Sequence, residues 1–404
     1  MWAWCPKGCS TCWLGSPTRV TRGVRYRLAS LLAIGVCAMT AARHNSLASM
    51  AEWVRRGSPE TMRRLDLPFH PLTGRYRCPD ERTLRDAFAQ VDASALTRAG
   101  FARLAALTAP ASRPHTPDGI SEREQRRRHR LCIDPDRSAA PRRAAFAVDG
   151  KCLRGARRAD GSQVFVLSAV RHSDAVTAAL REIGAKTNEI PEFVPLLEQI
   201  DDTDLTDCVI TVDALHAQRG HATHLVEERH AHYLLSVKNN QPTLAAQLRR
   251  LPWRQVPVLH RSTERGHGRE EVREVKAATV DGLLFPHARQ VVQIRRKRRR
   301  IGTKKWSTET VYAVTDLPAE QASAHELAAW AQGHRIIENA VHWSKNGTFG
   351  EDASQVRRHN TPVVMTAIRD IARGTLRLAG WANTASGRRA HTDPESALNL
   401  HGIP

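Results

Sequence analysis

From residue 144 onward the sequence alternates short apolar runs with helically spaced segments, and this alternation restricts the fold more than any other feature. Runs at 145–149, 164–170, 175–180, 208–212 and 233–237 predict strands, and 192–200, 220–228 and 243–251 predict helices. A chain patterned in this way builds an α/β sheet. Two of the predicted strands run directly into an acidic residue, Asp149 and Asp213. Active groups in such sheets collect at the carboxyl ends of strands, so these two positions are the first candidates for chemistry.

The flanking regions read differently. Residues 1–16 carry Trp, Cys, Gly and Pro without periodicity and predict a poorly ordered lead. Residues 17–106 predict a helical N-terminal domain, with helix starts at Ser58-Pro59-Glu60 and Pro79-Asp80-Glu81. Residues 107–143 place Pro110, Pro114, Pro117, Pro135 and Pro141 around Arg126-Arg127-Arg128-His129-Arg130, the pattern of a linker able to touch phosphates. The sheet core occupies 144–253. Residues 254–318 show strand patterns at 272–280, 290–295 and 310–314 with no helix between them, a β-rich basic insertion. Residues 319–404 return to the core with a long helix from about 324 through Glu338 to 343, followed by a basic helix and a frayed tail.

Composition narrows the function. Of 404 residues 41% are apolar, enough for a buried core and too many for wholesale disorder. The 61 basic against 41 acidic residues leave a net charge of +20, which points to a polyanionic partner, most often nucleic acid. Eight cysteines do not make a disulfide scaffold, and Cys5, Cys9 and Cys12 lack a fourth zinc ligand nearby. Free thiols in a reducing compartment are expected. The apolar stretch 28–42 follows Arg19, Arg22, Arg25 and Arg27 in the manner of a signal peptide. It begins late, is interrupted by Ser30 and Thr40, and is too short to cross a bilayer, so it predicts a buried helix in a cytoplasmic protein with no membrane partner.

Two carboxylates on neighbouring strand ends can hold one or two divalent cations, and oxygen ligands suit Mg²⁺ or Mn²⁺. Glu338, in the later helix, could face the same point. Taken singly, an Asp at a strand end is most often a turn former or a helix cap. The case rests on the three together with the positive charge. His334, Glu338, His342 and Lys345 fall at steps of four, four and three, which on a regular α-helix is one face. The same spacing also permits a His-Glu-His zinc site. His216, three residues beyond Asp213, could orient a water, a carboxylate or a phosphate, and Lys238 ends a predicted strand where it could neutralise a phosphate. Arg295, Arg296, Lys297, Arg298, Arg299 and Arg300 form a cationic run placed in a turn, suited to phosphates without sequence preference. Trp306 nearby reads as strand packing before base stacking.

The residues around these positions resemble a known family. Ala147-Val148-Asp149-Gly150-Lys151-Cys152-Leu153-Arg154-Gly155-Ala156 is similar to the first signature of the ISAs-type insertion-sequence transposases, the group that includes the H-repeat-associated proteins. Further blocks match in order: Lys186-Thr187-Asn188-Glu189-Ile190, Asp213-Ala214-Leu215-His216-Ala217-Gln218, and Tyr233 through Pro242. The last is Ile337-Glu338-Asn339-Ala340-Val341-His342-Trp343, with Phe349-Gly350-Glu351-Asp352 after it. Arg22-Gly23-Val24-Arg25 and the apolar helix beyond it also resemble the family, so the likeness covers about residues 17–400.

The resemblance implies an RNase H-like core and an acidic triad of Asp149, Asp213 and Glu338 acting through Mg²⁺ or Mn²⁺. It implies metal-dependent cleavage of double-stranded DNA at element ends and joining of the freed 3′-hydroxyl to target DNA. It further implies that the helical N-terminal domain, 17–106, is a DNA-binding domain, and that at least a dimer assembles on DNA in the nucleoid. His216, Lys238, His342 and Lys345 are then supporting residues, and Lys151 and Arg154 candidates for DNA contact. The chain departs from the family at Cys152, Gln332, Arg335 and Asn346 and from the wider superfamily at His334, while Lys345 keeps the superfamily's Lys seven residues after the Glu; the departures leave Glu351 or Asp352 as alternative third carboxylates. A catalytically inactive DNA-binding relic and a nuclease that cuts without joining remain as other readings.

Overall fold

A computed structural model describes residues 26–108, 143–158, 160–184, 188–266 and 268–404. The expected lead 1–16, Cys5, Cys9, Cys12 and Cys132, the Arg22-Gly23-Val24-Arg25 segment, nearly all of the 107–143 linker with its arginine cluster, and Lys186 and Thr187 lie outside the described residues. Among the described residues, the strands are β1 (Phe69–His70), β2 (Arg75–Tyr76), β3 (Ala145–Arg157), β4 (Gln163–Arg171), β5 (Thr177–Ile183), β6 (Val209–Val212), β7 (His232–Val237), β8 (His260–Gly266), β9 (Arg269–Thr279), β10 (Gln290–Arg300) and β11 (Ser307–Thr315).

β1 and β2 form a small hairpin, and the remaining nine strands form one mixed sheet in the order β5-β4-β3-β6-β7-β11-β10-β9-β8. β3, β4 and β5 are an antiparallel meander, while β6 and β7 lie parallel to β3. The strands of residues 254–318 are a continuation of this sheet, joined through antiparallel pairing of β11 with β7. Its outer strand β8 was not expected. Its sequence, His260-Arg261-Ser262-Thr263-Glu264-Arg265-Gly266, has almost no apolar residue, and all but two of its positions are exposed. Such an edge strand is held by its ladder to β9 and carries no hydrophobic signal.

Strand alternation sorts side chains between two layers. Ala145 and Val209 face one side, where they pack with Leu327 and Trp330 of the helix Ala324–Gly333. Phe146, Val148, Ile210 and Val212 face the other, against Phe193, Leu196 and Leu197 of the helix Glu189–Leu197 and Leu244 and Leu248 of the helix Pro242–Arg250. The helix Ala324–Gly333 starts at a capping box in which Ser323 Oγ accepts from Glu326 N and the Glu326 carboxylate accepts from Ser323 N. Ser323→Ala is expected to cost about 1 kcal/mol, read as a lowered urea midpoint with an unchanged slope.

The apolar helix Leu28–Thr40 is buried over Ser30–Thr40, as its composition requires. It and the helix Ala93–Thr108 pack on the helix Thr361–Leu378, and their core also takes in Leu153, Val164, Val166 and Leu180 from the sheet. The contact is tight enough that a Cβ on Gly100 would lie 2.4 Å from Ile371 Cδ1. The expected basic helix and frayed tail are corrected here. Thr361–Leu378 is a core helix, buried from Thr361 through Leu376, with Arg369, Asp370 and Arg373 inside it. Those charges pair with one another and with buried partners, a pairing that no local pattern in the sequence reveals.

Candidate active site

β3 and β6 pair in parallel up to Val148↔Val212, so Asp149 and Asp213 follow at the same level; Asp213 stands just past the end of β6, whereas Asp149 lies inside β3, which runs on to Arg157 and does not end at Asp149 as expected. Alternation continues the side occupied by Ala145, Ala147 and Val209, which is the side carrying Glu338. Glu338 lies not on a regular α-helix but in a π-helical segment, Ile337–His342, whose Ile337 and Val341 pack on Ala147 and Val170. The single long helix expected from 324 to 343 is thus broken. Trp343 N–H donates to Glu338 O, five residues back, and this wider turn changes which side chains share a face.

The expected single face of four residues does not survive this turn. Glu338 is exposed and Lys345 is buried, 1% exposed, with Nζ 2.9 Å from Asp370 Oδ2 and 3.5 Å from Glu351 Oε1. Lys345 is therefore part of the scaffold and does not face solvent. His334 Nδ1 lies 3.2 Å from Thr211 Oγ1, which also lies 3.0 Å from His172 Nε2 and donates to Phe146 O. His342 Nδ1 stands 3.9 Å from Asp149 Oδ2. Burial, with Lys345 and Lys151 nearby, pushes His342 down to about 3, so a neutral imidazole faces Asp149 at neutral pH. With its two imidazoles turned to different partners, the His-Glu-His zinc arrangement is absent.

Asp149 is the electrostatic centre of the site. Burial raises its carboxyl to about 7, and the nearby Glu338, Asp213 and Glu189 carboxylates add to the rise against a hydrogen bond from Gly150 N–H. Negative charge is thus concentrated around Asp149. Asp213 Oδ1 also accepts from Leu215 N at 2.9 Å, so it combines the cap role with its place at the site. Among the described residues, no three His, Cys, Asp or Glu side chains stand close enough together to hold a metal ion as placed. The donor set is nevertheless all carboxylate, the ligand type of Mg²⁺ and Mn²⁺, and its mutual repulsion is what a divalent cation relieves.

The alternative third carboxylates are engaged elsewhere. Glu351 is 2% exposed. Burial alone would raise it, but Lys345, Arg369 and Lys151, with the Thr366 hydroxyl, hold it down at about 2. Lys151 Nζ lies 2.8 Å from Asp352 Oδ1 and 3.3 Å from Glu351 Oε2. Lys151 is itself buried, so its expected contact with DNA is corrected to a structural ion pair. Arg154 remains exposed. Lys238 is exposed just beyond β7, and Asn240 in the same loop donates to Ala214 O beside Asp213.

The cationic run 295–300 is also corrected. It is not a turn but the second half of β10, and cross-strand carboxylates neutralise much of it. Arg296 makes two hydrogen bonds to Glu271, Arg299 bonds Glu270, Lys297 approaches Glu274 and Arg298 approaches Glu309. Arg295 and Arg300 are exposed. Arg299 also lies over the Trp306 ring, 4.7 Å from its centroid, which gives that Trp a packing role.

One residue at the site escaped the reading of the sequence. Glu189 opens the helix Glu189–Leu197 and its carboxylate rests against Gly150, while His216 Nε2 lies 3.3 Å from Glu189 Oε2. The signal that could have found it is an acidic residue starting a helix inside one of the matching blocks. His216 is 1% exposed and its ring packs beside Phe193 and His221.

Among the described residues, no helix is long and apolar enough to cross a membrane. A family profile described as "Transposase DDE domain" matches residues 128–372, and one described as "DDE_Tnp_1-associated" matches residues 17–102. The protein named "Putative transposase YncI" of Escherichia coli O157:H7 is 28% identical over 252 residues, 57% of this chain and 61% of its own length. "Putative protein YbfL" and "H repeat-associated putative transposase YhhI" of Escherichia coli K12 are each 25% identical over 240 residues, 56% of this chain and 62% of their own lengths. The chain therefore spans about three fifths of the length of these curated relatives.

Proposed function

This chain belongs to the insertion-sequence DDE transposase family, and we propose that it cuts double-stranded DNA at element ends and transfers the freed strands into target DNA. The observation that carries this reading is the placement of Asp149 and Asp213 at one level, directly beyond the last paired residues of the adjacent parallel strands β3 and β6, with the Glu338 carboxylate near enough to help raise Asp149. The order of β5, β4, β3, β6 and β7, an antiparallel meander followed by two parallel strands, supports an RNase H-like core.

In this reading Asp149, Asp213 and Glu338 hold Mg²⁺ or Mn²⁺. A cation bound there supplies activation of the attacking water or 3′-hydroxyl and charge stabilisation for the leaving oxygen. The protein's own part is positioning. β3 and β6 fix the two aspartates on rigid, paired backbone. The π-helical turn leaves Glu338 in solvent, where the side chain can swing towards them. His342, neutral at working pH, borders Asp149 without competing as a cation. No Ser or Cys nucleophile is needed, because the attacking oxygen comes from water or from DNA.

Exposed Arg154, Lys238, Arg295 and Arg300 supply phosphate contacts, and assembly of two copies on DNA brings two element ends together. Arg295→Glu with Arg300→Glu is expected to flatten the plot of log Kd against log salt by about two contacts. Arg296→Gln, which removes a guanidinium already committed to Glu271, is expected to leave that slope unchanged. Fluorescence anisotropy with duplex DNA between 50 and 200 mM salt reads both (roughly the range over which such contacts are lost).

Labelled element ends incubated with protein and Mg²⁺ test the reaction itself. Shortened strands together with joined products are expected. Cutting without joining would reduce the protein to a nuclease, and binding without cutting would mark it as an inactive relic.

A further inference from the structure

We propose that Glu189 is a fourth carboxylate of this centre, admitted by the missing side chain of Gly150 and oriented by His216, and that it helps to hold the divalent cation beside Asp149. The inference rests on the proposed assignment of Asp149 and Asp213 as metal-binding residues and extends it to a residue from the opposite layer.

The geometry begins with strand parity. Asp149 faces the layer of Glu338, so Gly150 faces the layer of the helix Glu189–Leu197. A Cβ on Gly150 would lie 2.1 Å from Glu189 Oε1, 2.4 Å from Cδ and 2.7 Å from Oε2. A Cβ there would force the flexible end of Glu189 to move, so the carboxylate occupies the space that any other residue at 150 would fill. The pairing of β3 with β6 stops at Val148↔Val212. β6 ends there while β3 runs on, and the Asp149 carboxylate feels those of Asp213 and, from across Gly150, Glu189.

Glu189 does not reach this place as a loose surface acid. Asn188 caps its helix by accepting from Ile190 N at 3.0 Å, which fixes the first turn. His216 Nε2 lies 3.3 Å from Glu189 Oε2, and a carboxylate only accepts, so the imidazole donates. The ring's Nδ1 is buried with no hydrogen-bond partner, which leaves Glu189 as the polar group that orients His216 and is oriented by it. His221 supports the pair from below. Its Nδ1 lies 3.1 Å from His216 O, its Nε2 lies 3.0 Å from Ile190 O, and its ring stacks on Phe193 at 4.2 Å. A chain of packed side chains thus holds one carboxylate towards a cluster already rich in negative charge.

Equilibrium Mn²⁺ binding by the full chain, read by the electron paramagnetic resonance signal of free Mn²⁺, tests this without requiring activity. Asp149→Asn and Asp213→Asn are expected to weaken binding, which establishes the centre. The isosteric Glu189→Gln is expected to weaken it at least tenfold, about the lower end of what outer partners of metal sites show on mutation. Gly150→Ala, which displaces the carboxylate while keeping its charge, is expected to reproduce the loss. Glu192→Gln, one turn along the same helix and paired with Arg181, is expected to bind as wild type. Wild-type affinity in Glu189→Gln alongside a loss in the two aspartate variants would overturn the assignment of Glu189 alone. Binding unaffected by either aspartate variant would overturn the metal centre, and the assignment of Glu189 with it.

Discussion

Asp149→Asn is expected to abolish DNA cleavage and strand transfer while making the metal-free protein more stable at alkaline pH. The activity loss is expected to be on the order of 1,000-fold, about 4 kcal/mol of transition-state stabilisation, because the amide can neither neutralise a cation nor hold it beside Asp213. The stability gain follows from the pKa. Asp149 rises from an ordinary 3.8 to about 7 because it is buried and because Glu338, Asp213 and Glu189 repel its charge. A carboxyl raised in this way favours the folded state most at pH values below its unfolded pKa, and the advantage is lost as the pH climbs through about 7. Asparagine carries no charge, so the variant escapes that loss. Thermal melts in chelator at pH 8 should place the variant above wild type, and melts at pH 4 should bring the two together. A variant that loses activity and also melts lower at pH 8 would show that Asp149 serves the fold.

Lys345→Met is expected to destabilise the protein by about 3–5 kcal/mol, the range for removing one member of a buried ion pair and stranding its partner. The ammonium lies between Asp370 and Glu351, all three side chains 1% exposed, and Arg369, Arg373 and Lys151 complete the network. This network ties β3, immediately after Asp149, to the core helix Thr361–Leu378 and to the turn that carries Glu338. A double-mutant cycle with Asp370→Asn should recover part of the loss, since one stranded charge goes with the other. Glu351, held at about 2 against an ordinary 4.5, contributes stability that is complete above its unfolded pKa and is lost as the pH falls towards 2. Urea unfolding measures all of these. If Lys345→Met unfolded at the wild-type midpoint yet abolished strand transfer, the lysine would act on substrate, as its spacing from Glu338 suggests on paper.

The contrast between these residues explains what the sequence could reveal. Asp149 and Asp213 were visible because each follows a short apolar run, although only Asp213 stands at a strand end and β3 runs on past Asp149 to Arg157. The buried helix at 28–40 and the strands of the central sheet were visible for the same reason, since burial writes itself as apolar runs. The charged core was not visible. Arg369, Asp370 and Arg373 read only as part of a basic helix, because their neutralising partners Glu351 and Lys345 lie elsewhere in the chain. The arginines of β10 read as a turn for a related reason. Their partners Glu270, Glu271 and Glu274 sit on β9, and pairing becomes evident only once the register is known. The π-helical turn at Ile337–His342 has no compositional signature, so a regular helical spacing placed Lys345 beside Glu338 when the backbone turns it inward. Glu189 went unread because its role depends on an absent side chain at Gly150, a contact between two layers that neither segment discloses alone.

The account depends on one centre shared by residues from β3, β6 and the π-helical turn. An anomalous-scattering map of crystals grown with Mn²⁺ and element-end DNA tests this most directly. The expected result is metal density about 2.0–2.2 Å from oxygens of Asp149 and Asp213, with Glu338 turned towards it. Density elsewhere in the molecule, with these three carboxylates left unligated, would contradict it.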